Sequence, residues 1–522
     1  MSYALWKAGK AFDCAVFELF FRTNPFKGEF TVFAGLSECL KFLRTFAFSE
    51  EDIKYIRNIF PDHTDEAFFD FLSKLDLSGL TVWAIEEGTA VFPNVPLLIV
   101  QGPLAVCQLL ETPLLNLINY ASLVTTNAAR IRLAVGESKQ LAEFGLRRAQ
   151  GPNGGISASL YSFLGGFNVT SNVLAAKLYG IPICGTHSHS FVSAFSSDSP
   201  RSSSPGPNVL PKKESYHTLA GTVNFDTSQL IAASDTWLRR LATTLDFSLD
   251  DTKPEELQAF VHYASAFPST FVGLVDTYSV LKSGVNNFCA VALALWDFGL
   301  KAVGVRIDSG DLAYLSNVVR KKFTQVAEQY GHSIDMFAVG TQLVTCQKQS
   351  ALGCVFKLVE INGVPTAKLS ENVFKMNIPG QKLAYRLFDS KGTLLYAFIT
   401  LGMALLDLMQ TADEKKPTVG ERIRCRNAYY AAKFVEIIPS SIRKLHMVVW
   451  KDGKVVCNVP SFEEIRSRVK QSLAELRPDH LRQLNPTPYK VSLSELQYHL
   501  TQDIWMSLEP RLLNIECGVE NC

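Results

Sequence analysis

Through the middle of the chain, short apolar runs alternate with helical patterns at a spacing of about 30 residues, and this rhythm is the strongest constraint on the fold. The runs IPICGT (181–186), TFVGLVDTYS (270–279), KAVGVRID (301–308) and SIDMFAVGT (333–341) each end in Gly, Thr, Ser or Asp. Between them, NFCAVALALWDFGL (287–300) and LAYLSNVVRKKFTQVAEQYG (312–331) carry apolar residues at helical period and stop at or near glycine. Strand, polar turn and helix in that order predict an α/β fold, either a βα barrel or an open parallel sheet. In both, ligands bind at the carboxyl ends of the strands.

The flanks read differently. Residues 1–120 contain strand-like runs, AVFELFFR (15–22), EFTVFAGL (29–36) and VPLLIVQG (95–102), and form the β-rich N-terminal part of a flanking domain. Residues 121–345 form the barrel-like block, and residues 346–522 an α+β region with strands GCVFKLVEI and MVVWKDGKVV and a charged helix, FEEIRSRVKQSLAELR (462–477). Within the barrel block, the Ser- and Pro-rich stretch 196–215 reads as a mobile excursion.

A chain of 522 residues, 47% hydrophobic, has enough apolar material for a sizeable core in two or three domains. Its formal charge of +1 supplies no global field for nucleic acid or anionic lipid, so anion recognition must be local. Eleven scattered cysteines without a Cys-x-x-Cys pair read as reduced thiols. The start MSYALWKAGKAFDC has no signal-type apolar segment, which makes the cytoplasm the expected compartment. The uncharged run GTLLYAFITLGMALL (392–406) is shorter than the roughly 20 residues of a spanning helix and reads as a buried core element.

The residues that carry chemistry gather at the strand ends. GVRIDSGDL (304–312) offers Arg306 for a carboxylate or phosphate, and Asp308 and Asp311 for Mg²⁺ or sugar hydroxyls; the ordinary alternative is an Arg–Asp pair bracing a turn. FGLRRAQGPNGG (144–155) offers Phe144 for stacking on a flat ring and Arg147 for phosphate, against a surface arginine pair. GTHSHSF (185–191) places His187 and His189 two apart on a turn, able to shuttle protons or act as nucleophiles, or to serve only as structural hydrogen-bonding groups. VGTQLVT (339–345) supplies a Gly-Thr turn for a phosphate.

These segments, with FELFFR, LETPLLNLINYASLVTTNAAR (110–130), LGGFNVTSNVLA (164–175), DTYSV and ALGCVFKLV, resemble in order the blocks of nicotinate phosphoribosyltransferase over nearly the whole chain. The resemblance implies an irregular βα barrel of the type II phosphoribosyltransferase kind, with a mixed β-rich domain built from both terminal regions, in a cytosolic homodimer. It implies condensation of nicotinate with phosphoribosyl pyrophosphate to nicotinate mononucleotide for NAD synthesis, with ATP as co-substrate and Mg²⁺ or Mn²⁺ on the pyrophosphate. It further implies that His189 is the phosphorylated nucleophile, that Thr186 and Arg306 bind nicotinate, and that Thr341 and Arg147 contact phosphoribosyl pyrophosphate. Asp308 then holds ribose hydroxyls or metal, and a neutral Ser171, where nicotinamide-using relatives carry aspartate, favours the acid.

Three departures from the family pattern stand beside this. The chain starts just past an Asp-Leu-Tyr-Gln segment, the stretch from Asp311 to Ser333 is short by one strand and helix with a junction expected near Tyr330 and Gly331, and an apolar insert precedes Asp407. They define an alternative: a non-catalytic variant that acts only as a dimer partner. An aldolase-like barrel is a third reading, but it would need a Schiff-base lysine, and no strand end carries one.

Overall fold

The computed structural model describes residues 1–195, 214–218, 221–330, 336–396 and 399–508. The excursion at 196–213 and the Gly331 side of the expected junction lie outside the described residues. The chain divides into two compact units, one of Met1–Ile183 with Ala338–Cys522 and one of Cys184–Phe337.

In the first unit, a seven-stranded antiparallel sheet runs Val364–Pro365, Cys354–Ile361, Cys14–Phe21, Leu98–Pro103, Thr81–Ile85, His446–Lys451 and Lys454–Val455. Cys14–Phe21, buried along almost its whole length, reads as an unbroken apolar run because it lies between neighbours within the sheet and under helices on its face. EFTVFAGL pairs only through Thr31–Val32; its end instead opens the helix Leu36–Thr45, followed by Glu50–Ile59 and Glu66–Ser73. The N-terminal region is therefore more helical than its runs predict.

The helix Leu104–Val135 is the spine of this unit. It substitutes for a sheet neighbour: the hydroxyls of Thr126 and Ser122 accept the N–H groups of Val32 (2.9 Å) and Ala34 (3.0 Å), donors that the two-residue strand leaves without a ladder partner. A second helix, Gly151–Leu164, crosses it where Gly165 has no Cβ to strike Ala128.

A six-stranded sheet contains the long hairpin Lys382–Tyr396 with Ile399–Thr411. The run 392–406 thus contributes to a β-hairpin, with Ala404 and Leu406 buried. Among the described residues, no helix is long and apolar enough to cross a membrane. Across this hairpin Arg386 faces Asp407, and both are completely buried.

The βα elements are short parallel pieces. Val272–Leu274 pairs in parallel with Gly304–Arg306 in the second unit, and Gln140–Glu143 with Val169–Thr170 in the first, beside Met336–Val339. IPICGT is represented by a single bridge, Thr170 to Ile183, because Pro182 has no N–H with which to extend a ladder. The second unit has its own core, in which Leu230, Trp237, Phe260, Phe271, Phe288 and Leu295 pack between the helices Thr227–Thr244, Pro254–Ala266 and Val285–Asp297.

Candidate active site

In the second unit the parallel register builds the site. Leu274 lies opposite Arg306, so the residues two further along each strand, Asp276 and Asp308, emerge together. Asp276 is the anchor: its Oδ2 accepts the Asp308 N–H (3.0 Å) and the Ser309 hydroxyl (2.6 Å). Its side chain is 2% exposed, and Oδ1 accepts no hydrogen bond. A Cβ at Gly284 would collide with the Val275 carbonyl, so glycine is needed there for the following helix to pack behind this turn.

His189 opens the short helix His189–Ser193 above these carboxylates. Its Nδ1 lies 3.1 Å from Thr277 Oγ1, and its Nε2 lies 3.8 Å from Asp276 Oδ1 and 3.9 Å from Asp308 Oδ2. The Thr277 contact at Nδ1 orients the ring, and 44% of the side chain stays exposed. Arg306 donates through Nη1 to Thr186 Oγ1 (3.0 Å) and through Nη2 to Asp308 Oδ1 (2.7 Å). Thr186, His189, Arg306 and Asp308 are thereby brought together.

The second histidine plays the opposite part. His187 is 5% exposed, packs on Phe191, Phe260 and Tyr263, and accepts the Leu274 N–H at Nε2 (3.0 Å). Burial pushes its pKa down to about 4, so it is a neutral structural acceptor holding the strand that leads to Asp276. Asp311, expected as a metal ligand, caps a helix: its Oδ1 accepts the Tyr314 N–H (3.0 Å) at the start of Leu312–Tyr330.

Behind the site, Glu256 is buried, and its Oε2 accepts Ser283 (2.5 Å) and Asn287 (3.1 Å). Burial lifts its pKa to about 7, and the Asp276 charge adds to the rise.

The remaining candidates belong to the first unit. Glu143 ends the strand Gln140–Glu143, and the turn after it carries Phe144 and Arg147, the latter exposed within Leu146–Arg148. Ser171 follows the parallel partner strand and donates its N–H to the Glu143 carbonyl (3.0 Å). The Phe144 N–H donates to the Val339 carbonyl (2.9 Å), two residues before Thr341, which begins the helix Thr341–Thr345. Phe144, Arg147, Ser171 and Thr341 therefore surround one pair of strand ends.

Sequence reasoning did not single out Asp276, Thr277 or Glu143. The first two close the run TFVGLVDTYS, and their signal was the same strand-end position that drew attention to Arg306 and Asp308.

The donor set suits a hard cation. Asp276 Oδ1 and Asp308 Oδ2 supply two carboxylate oxygens on one side of the imidazole, and Mg²⁺ or Mn²⁺ takes one or two carboxylates when phosphate oxygens and water complete its shell. Among the described residues, no three His, Cys, Asp or Glu side chains could hold a metal by themselves.

Comparison with known proteins gives a consistent result. Residues 1–119 match the model of the nicotinate phosphoribosyltransferase N-terminal domain and residues 381–501 that of its C-terminal domain. The nicotinate phosphoribosyltransferase of Caenorhabditis elegans is 46% identical over 98% of this chain and 92% of its own length. The human one is 41% identical over 98% and 96%. The crystal structure of human nicotinic acid phosphoribosyltransferase superimposes with a TM-score of 0.81 over 97% of this chain and 98% of that one. A nicotinate-nucleotide pyrophosphorylase from Pyrococcus furiosus, at 17% identity and a TM-score of 0.50 over 91% and 92%, shares the fold.

Proposed function

This chain belongs to the nicotinate phosphoribosyltransferase family, and from that premise we propose that it condenses nicotinate with phosphoribosyl pyrophosphate, coupled to ATP hydrolysis, as the first step of NAD synthesis from nicotinate. The pyridine nitrogen attacks the anomeric carbon, the bond from that carbon to oxygen breaks, and pyrophosphate leaves with the electron pair.

The observation that carries this reading is Arg306, whose guanidinium is held by Thr186 on one side and Asp308 on the other at the end of a parallel strand. An oriented fork of N–H donors is a receptor for a planar carboxylate, which nicotinate has and nicotinamide lacks. The family resemblance supports the neutral Ser171 as a residue that favours the acid over the amide. Arg147 and Thr341 take phosphate oxygens, and Phe144 stacks on the ring. Asp308 supplies the negative charge that stabilises the cationic anomeric carbon, a role the family resemblance supports.

His189 serves the coupling to ATP. With its ring oriented by Thr277, a ring-nitrogen lone pair attacks the terminal phosphorus, the bond to the bridging oxygen breaks, and ADP departs. Asp276 and Asp308 would hold Mg²⁺ or Mn²⁺, which would supply charge neutralisation for the pyrophosphate. The resemblance supports a cytosolic homodimer as the working form. The reading as a non-catalytic dimer partner rests on the three departures from the family pattern; what favours the catalytic reading is the mutual contact of Thr186, Arg306 and Asp308, with His189 beside Asp276 and Asp308.

The test is pyrophosphate release by purified protein from phosphoribosyl pyrophosphate with nicotinate, with nicotinamide or with neither, each with and without ATP. Release that needs nicotinate and rises with ATP is expected. Equal release with nicotinamide would overturn the roles of Arg306 and Ser171, and no release from folded protein would overturn the catalytic reading.

A further inference from the structure

Glu143 is a carboxylate in an unusual position: 1% exposed, at the end of a parallel strand, and served by uncharged donors. Its Oε1 accepts the Gly145 N–H, and its Oε2 accepts the hydroxyls of Ser159 (2.8 Å) and Thr170 (2.6 Å). Its carbonyl oxygen accepts the Ser171 N–H (3.0 Å) and the Ser171 hydroxyl (3.3 Å). Asn172 extends the network, donating its N–H to Thr170 Oγ1 (3.0 Å) and its Nδ2 to Ser159 Oγ (3.2 Å). One residue thus grips the turn that carries Phe144 and Arg147, the turn that carries Ser171, and the helix Gly151–Leu164.

The third substrate-side segment is packed against the same place. A Cβ on Gly145 would collide with Val344 of the helix Thr341–Thr345, and the Gly340 position faces the Phe144 carbonyl. The Gly145 backbone thus packs directly against the segment that contains Thr341. Burying an unpaired carboxylate is costly, and a structure that needed only packing here would be served by an apolar side chain. A carboxylate suits the place because the Gly145 N–H and the Ser159 and Thr170 hydroxyls converge on it as donors.

We propose that Glu143 is a positioning residue of the transferase: its carboxylate locks the Phe144–Arg148 turn to the Thr170–Ser171 turn, and so sets both the affinity for phosphoribosyl pyrophosphate and the preference for nicotinate over nicotinamide. This rests on the functional reading given above. Glu143 touches no reacting atom; it acts through Gly145, Thr170 and Ser171. A carboxamide at this position keeps the shape but turns one oxygen into a donor, so the two hydroxyls must rotate to accept from it and lose their present direction.

The test compares wild type, Glu143→Gln and Glu143→Ala by steady-state kinetics, by calorimetric binding of phosphoribosyl pyrophosphate with Mg²⁺, and by thermal unfolding. Glu143→Ala is expected to raise KM and Kd for phosphoribosyl pyrophosphate at least tenfold while kcat falls less than threefold, and to lower the ratio of nicotinate to nicotinamide turnover. Glu143→Gln is expected to fall between the two, and it decides the matter if the alanine variant does not fold. KM, Kd and the selectivity ratio all within twofold of wild type, with only the melting temperature lowered, would reduce Glu143 to a stabilising group and overturn the proposal. A wild type that binds phosphoribosyl pyrophosphate without nicotinate-dependent release sinks the functional reading alone, because the binding arm still reports on Glu143. A wild type that does neither overturns both.

Discussion

At the residue scale, the difference between a binding group and a supporting one lies in what fills its hydrogen bonds. Arg306 is held from two sides yet is 24% exposed, so removing it takes away a charge-assisted pair worth roughly 1.5–3 kcal/mol. Arg306→Ala is expected to raise the KM for nicotinate about ten- to a hundredfold, and Arg306→Lys, which keeps the charge but not the fork, to recover only part of it. Glu256 gives a pH signature. Its folded pKa of about 7 lies above the ordinary glutamate value of 4.5, so the folded state binds more protons and stability is lost as pH rises through that window. Relative to wild type, Glu256→Gln should gain on the order of 2–3 kcal/mol in urea unfolding between pH 4.5 and 8, whereas a flat difference would show that the carboxyl is ordinary. The sequence exposed Arg306, Asp308 and His189 through their place at strand ends. Strand-end position alone did not separate His189 from His187, which only the family resemblance did, because the physical difference is which ring the Leu274 N–H reaches; Asp276, whose importance arises only when two strands lie in register, was passed over.

At the element scale, the long hairpin is pinned by an ion pair with no access to water. Arg386 donates Nε to Asp407 Oδ1 (2.8 Å) and Nη2 to Asp407 Oδ2 (2.9 Å) and the Ala90 carbonyl (2.8 Å), while Tyr489 donates to Asp407 and stacks on Phe92. Asp407→Ala leaves a buried guanidinium without its counter-charge and should cost about 3–5 kcal/mol in chemical denaturation; replacing both partners by apolar residues of similar volume should cost less than the single change. Thr126→Val is expected to cost roughly 1–3 kcal/mol by orphaning the Val32 N–H. The run 392–406 shows why elements were only partly legible: an uninterrupted apolar stretch is compatible with a buried helix or a buried strand, and the partner strand decides between them. KAVGVRID, flanked by helical patterns, was readable as a strand, whereas IPICGT was undone by its internal proline.

At the scale of the whole molecule, the second unit interrupts the first, which leaves at Ile183 and resumes at Ala338. Local pattern does not mark such an interruption, since it is a matter of long-range pairing. Ligand binding should register in global stability: phosphoribosyl pyrophosphate at a hundredfold its Kd is expected to stabilise the fold by about 2.7 kcal/mol, seen as a rise in melting temperature, and chelation of Mg²⁺ by EDTA should remove most of that rise. The interruption also has a consequence in time. Cys14–Phe21 finds one neighbour early, in Leu98–Pro103, but the other, Cys354–Ile361, is so distant that the bond from the Cys14 N–H to Asn362 spans 348 residues. On a ribosome adding roughly 5–20 residues per second, the growing polypeptide carries an unpaired apolar strand edge for tens of seconds before its mate emerges. A chain stopped after residue 345 should therefore pellet when expressed while the full-length protein stays in the supernatant, the edge of Cys14–Phe21 having no mate to cover it.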